Sequence, residues 1–114
     1  MERLDRIEKC VDWTDALHEI AREQTGLEDF GDTHYLEGLR VLLEQYDIGC
    51  GLSQVGQYSI RLKLVHVLKR RLLSEQAFKD DPTIFDNPIE SPLVITGLIR
   101  TGSTALHYLL AADP

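Results

Sequence analysis

Between Gly97 and Thr104 the chain reads Gly-Leu-Ile-Arg-Thr-Gly-Ser-Thr. Glycines at this spacing, followed by hydroxyl residues, let backbone N–H groups converge on an anion. Against the phosphate-loop pattern G-x-x-x-x-G-K-[ST], Gly97, Gly102 and Thr104 match, and Ser103 stands where lysine is usual. A helix opening at that point adds its positive end to the site. Without the lysine that reaches β- and γ-phosphates, the case for ATP or GTP hydrolysis weakens. Arg100 supplies a cation inside the loop, and its fork of donors suits bidentate contact with phosphate or sulfonate oxygens. Ser and Thr at a helix start also serve simply as caps, so the spacing alone names an anion and no particular ligand.

Such a loop needs a strand before it and a helix after it. Leu93 to Thr96, Leu-Val-Ile-Thr, is β-rich and suits a central strand of a parallel sheet, buried on both faces. One strand makes no sheet, so its partners are expected from another chain or from further sequence. Left alone it exposes its edges, an aggregation hazard, and self-association through it is expected.

Upstream the pattern is helical. Trp13, Ala16, Leu17 and Ile20 form one apolar stripe, and Gly26 suits a left-handed stop. Asp32 or Thr33 is expected to cap a second helix buried along Leu36, Leu39, Leu43 and Tyr46. Gly49-Cys50-Gly51 breaks it. Ser53 caps a third helix to about Leu73, whose apolar residues surround most of the axis and so predict cover on several sides. Ser74 is expected to cap a short fourth helix, lost near Asp81-Pro82. The segment DDPTIFDNPIESP reads as an irregular crossing. The fold class is therefore mostly α: about four helices over residues 1–91, then one strand–loop–helix unit over 92–114.

Composition narrows the function classes. The chain has 114 residues and a net charge of −7, which argues against general nucleic-acid binding. No apolar run approaches a membrane span, and the charged N-terminus MERLDRIEKC is unlike a signal peptide. Cys10 and Cys50 follow no metal spacing and fit reduced thiols in a cytoplasmic protein.

The stretch PLVITGLIRTGSTALHYLLAADP, Pro92 to Pro114, resembles the opening of bacterial sulfotransferase-family proteins. Their strand and 5′-phosphosulfate loop typically read P-L-x-I-x-G-L-P-R-T-G-T-T-L-L-H-x-L-L-A-x-D-P. TGLEDFGDTHYLEGLRVLLEQ and LVHVLKRRLLSEQAF are similar to the helical N-terminal segment of the same proteins, so the resemblance runs from about Thr25 onward. It implies an α/β, P-loop-like parallel-sheet sulfotransferase of which this chain is the N-terminal fragment. It also implies 3′-phosphoadenosine 5′-phosphosulfate (PAPS) as sulfonate donor. Carried onto matching positions, Arg100, Thr101, Gly102, Ser103 and Thr104 surround the 5′-phosphate and the sulfonate. A sulfuryl donor has no β- and γ-phosphates to clamp, so neither the lysine nor a bridging metal is expected.

The reaction implied is in-line transfer of sulfonate to the hydroxyl or amine of a small-molecule acceptor, with Arg100 stabilising charge in the transition state. Ile99 stands where the family usually has proline, which predicts a looser loop. The chain stops at Pro114, so no 3′-phosphate site, acceptor pocket or base is assigned, and the isolated chain is expected to be inactive and to bind PAPS weakly.

His107, four residues after Ser103, is expected to pack or to hold a hydrogen bond behind the site, and His66 reads as a core histidine. His18 and His34 have no partners at metal spacing. Arg61, Lys63, Lys69, Arg70 and Arg71 scatter around the helix axis and read as a solvated end. The alternatives are a P-loop kinase or NTPase, and a helical interaction module that uses the apolar surface of the third helix.

Overall fold

A computed structural model describes residue 4 and residues 8–86, 88–98 and 100–112. The chain divides into two compact units, Met1–Ile84 and Phe85–Pro114. Within the described residues it is mostly helical and forms no strand.

The first unit is built on Trp13. A 3-10 turn, Cys10–Trp13, runs directly into helix α1, Thr14–Thr25. Trp13, Ala16, Leu17 and Ile20 are buried, as their spacing predicts. Gly26 ends the helix at φ 70°, and its N–H donates to the Arg22 carbonyl at 2.7 Å. That conformation is open to glycine at little cost. Helix α2, Tyr35–Gly49, follows a loop in which the Asp32 carboxylate accepts from the His34 N–H at 3.0 Å. Leu39 and Leu43 face the core, while Leu36 stays partly exposed. Asp47 joins α2 to the 3-10 turn, accepting from the N–H groups of Cys10 at 2.7 Å and Val11 at 3.0 Å.

Helix α3, Gln54–Asp80, starts where expected: the Ser53 hydroxyl accepts from the Gly56 N–H at 3.2 Å. It does not stop at Leu73. Ser74 lies inside a continuous helix, so among the described residues three α-helices, not four, precede the loop. Serine costs a helix only a few tenths of a kcal/mol relative to good formers, and no glycine or proline interrupts the chain from Gln57 to Asp81. Beyond Ser74, Lys79 pairs with Asp29 and adds a tertiary hold. Asp81 (φ −135°) ends the helix ahead of Pro82, where a residue preceding proline avoids the helical region.

Val65, Leu68 and Leu72 of α3 pack on α1. The expected cover on several sides is not seen: Val55 is 76% exposed and Val67 61%. Helix residues this apolar are usually covered; here one face is, and the others face solvent.

The second unit contains α4, Ser103–Ala111, and none of its described residues is buried. Leu93–Thr96, expected as a strand, has no regular structure. The physical reason is the absence, among the described residues, of any strand to complete a ladder, and a strand without a ladder partner has no hydrogen bonds to hold it.

Candidate functional site

The predicted site residues lie together where the loop meets α4. Thr101 closes the loop on itself: its hydroxyl donates to the Leu98 carbonyl at 2.6 Å. A Cβ on Gly97 would sit 3.2 Å from that hydroxyl oxygen, so the glycine is what gives Thr101 room. With its proton committed to Leu98, the Thr101 hydroxyl is an acceptor toward anything outside. Any donation from Thr101 to an anion therefore falls to its backbone N–H.

Gly102 has φ 87°, and an added Cβ there would meet nothing within 4 Å. The demand for glycine is conformational, not steric. Arg100 also adopts a left-handed conformation, φ 65°, which costs a non-glycine residue on the order of 1 kcal/mol. Its side chain is exposed and has no carboxylate partner among the described residues. Ile99, the residue at the family's proline position, lies outside the described residues.

No side chain caps α4. The first turn of a helix has N–H groups without intrahelical partners, and the ladder begins with the Leu106 N–H donating to the Gly102 carbonyl at 3.0 Å. Ser103 and Thr104, with Ile95, His107 and Tyr108, line a hollow of about 330 Å³. Ser103 is half-buried and Thr104 exposed. The one-turn spacing thus brings His107 beside the loop hydroxyls. The expectation that His107 packs is not met: it is exposed, with its ring edge-on to Tyr108 at 6.1 Å.

The histidine built into the core is His18, not His66. His66 is exposed because its neighbours on that face, Leu62 and Leu73, are themselves 44% and 54% exposed. His18 is buried with both ring nitrogens engaged, Nδ1 to the Thr14 carbonyl at 2.6 Å and Nε2 to the Tyr35 hydroxyl at 2.7 Å. A carbonyl only accepts, so Nδ1 carries a proton. The Phe30 ring stands edge-on to it at 4.8 Å. Burial pushes the Tyr35 phenol above its ordinary range. Neither ring nitrogen is left for a ligand or a substrate proton, and the cluster is structural.

Two of the five cations on α3 also depart from the solvated reading. Arg61 is buried with its guanidinium 4.4 Å from the centre of the Trp13 ring. Arg71 lies over Tyr35, 4.4 Å from its ring centre, and donates to the carbonyls of Phe30 and Asp32 and to the Asp32 carboxylate. The aromatic partners are 48 and 36 residues away in sequence, beyond any helical spacing. Among the described residues no group of three His, Cys, Asp or Glu is placed to hold a metal. No helix of the described residues is long and apolar enough to cross a membrane.

No protein-family model, curated protein or solved structure matches the chain.

Proposed function

We propose that Gly97–Thr104 is the phosphosulfate loop of a PAPS-dependent sulfotransferase, holding the donor's 5′ end for transfer of sulfonate to an acceptor hydroxyl or amine. One observation carries the reading: Arg100 and the uncapped start of α4 sit on either side of the left-handed turn at Gly102, with Ser103 in place of lysine. In this assignment the backbone N–H groups at the start of α4 and the Ser103 and Thr104 hydroxyls meet the 5′-phosphate. Arg100 meets the sulfonate oxygens, where charge changes during transfer. The sulfotransferase resemblance of Pro92 to Pro114 supports the choice of donor. A kinase or NTPase reading lacks the lysine that would hold a γ-phosphate.

The 114-residue chain by itself is expected to bind the donor weakly and to transfer nothing. Among its described residues no parallel strand stands beside Leu93–Thr96, so the loop lacks the sheet that would hold it rigid. Equilibrium titration tests the assignment. PAPS, without magnesium, should bind more tightly than Mg-ATP, and Arg100→Ala should weaken PAPS binding about tenfold or more. Preference for Mg-ATP, or unchanged binding by the variant, would reject it.

A further inference from the structure

We infer that α3 carries a docking face for an acidic amphipathic helix of a partner protein. At about 100° per residue, Val55, Tyr58, Leu62 and Leu73 fall within about 60° of one another and span about 27 Å of the helix. They are 76%, 50%, 44% and 54% exposed. The stripe lies beside the row Val65, Leu68 and Leu72, which is buried against α1. Apolar residues aligned on a helix already anchored by its other side make a surface of the kind that receives partners, unlike scattered single exposed residues. At the Val55 end the surface dips into a hollow of about 480 Å³, bordered among the described residues by Gln54, Val55, Gln57, Tyr58 and Arg61. It has room for one large apolar side chain.

Charge selects the occupant. From Gln54 to Ser74 the helix has no acid, although the whole chain carries a net charge of −7. Arg61 is committed to Trp13 and Arg71 to Asp32. That leaves Lys63, Lys69 and Arg70, which have no carboxylate partner among the described residues. At helical spacing Lys69 falls inside the stripe, and Lys63 and Arg70 run along its open flank. Lys69 is half-buried, as suits a long side chain whose methylene stem can cover apolar surface while its charge stays in water. The face is therefore apolar with Lys69 within it and Lys63 and Arg70 along its flank, in a chain whose net charge is −7.

A complementary helix offers apolar residues one turn apart, flanked by Glu or Asp that meet Lys63 and Arg70. A second copy docking stripe to stripe would set these cations against their equivalents, a like-charge arrangement that disfavours the pair. A lipid surface would favour a helix free on both flanks, whereas one flank of α3 is held by α1.

The test uses the full chain and a labelled synthetic helix of about 18 residues, leucines one turn apart and glutamates on both flanks, followed by fluorescence anisotropy. The glutamate helix should bind, and the same peptide with lysines for glutamates should not. Leu62→Asp should weaken binding at least about tenfold. Lys63→Glu with Arg70→Glu should do likewise, and should switch preference to the lysine peptide. Circular dichroism of each variant should match the parent, since all three positions are at the surface. Equal binding of both peptides, or full affinity in the Leu62 variant, would overturn the proposal. Two other results would also overturn it: binding to phosphatidylserine vesicles without peptide binding, or a dimer that Leu62→Asp dissolves.

Discussion

Trp13 and Tyr108 are both large aromatic residues near the start or middle of a helix, yet Trp13 is 0% exposed and Tyr108 70%. Around Trp13 the chain has assembled a core from α1, α2, α3 and the 3-10 turn, with Arg61 stacked on the indole. Around Tyr108, Leu109 is 72% exposed and Leu106 46%. The helical unit is held by its own packing. The loop unit has no buried side chain among its described residues, and its nine-residue helix α4 is shorter than an isolated helix usually needs to persist in water. Stability and candidate chemistry are thus separated along the chain. The part that packs has its buried polar side chains, His18 and Arg61, engaged in structure, and the part with the anion-binding pattern keeps Arg100 and Thr104 exposed.

The comparison breaks most easily at its strongest point. Trp13→Ala removes the centre of the core and the partner of Arg61, and should cost about 3–5 kcal/mol. Tyr108→Ala should change stability by less than about 0.5 kcal/mol. Urea titrations followed by circular dichroism measure both, and similar losses would show that Tyr108 carries as much of the stability as Trp13.

Tyr35→Phe is the next step down. It leaves His18 Nε2 without its hydroxyl partner inside the helical unit, and should cost about 1–2 kcal/mol by the same measurement. No change would mean that the ring nitrogen finds another partner and that the cluster is not the structural element described here.

The smallest effect is acid-dependent. Partial burial raises the Asp47 carboxyl, but the N–H bonds from Cys10 and Val11 outweigh it and hold the group below its ordinary range. The same carboxylate, after burial itself, helps push the Cys10 thiol up to about 11. A carboxylate lowered in the folded state stabilises fully above its unfolded pKa of about 3.9, and that contribution fades as pH falls through the folded value. Asp47→Asn should therefore lower stability near neutral pH and flatten the loss on going from about pH 5 to pH 2. Denaturant midpoints across that range check it, and parallel curves for parent and variant would refute the linkage.

Much of the helical unit was legible in the residues. The Trp13–Ile20 stripe, the Gly26 stop and the Ser53 cap are local signals, each decided by a few neighbouring residues, and each appears in the structure. What misled were residues whose fate depends on distant partners. Arg61 and Arg71 read as solvated because Trp13 and Tyr35 are far away in sequence. His66 read as core because its apolar neighbours were assumed to be covered. Ser74 read as a cap because serine at a helix start and serine within a helix look alike without the contacts that follow. For the site, the glycine spacing announced a turn at Gly102 opening α4. The Thr101–Leu98 bond and the left-handed Arg100 were not readable, since both depend on backbone geometry that no spacing rule contains. The strand reading of Leu93–Thr96 failed for a different reason: strand propensity describes fit to a sheet, and no neighbouring strand is present among the described residues.

The central claim is that the loop recognises a phosphosulfate through Arg100 and the start of α4. Its most direct test is amide chemical-shift mapping of the isotope-labelled chain titrated with PAPS in the absence of magnesium. The account predicts saturable shifts concentrated at Arg100, Thr101, Gly102, Ser103 and Thr104, lost in Arg100→Ala, with α1 to α3 unmoved. Shifts confined to the helical unit, or a loop that responds to Mg-ATP and not to PAPS, would contradict it.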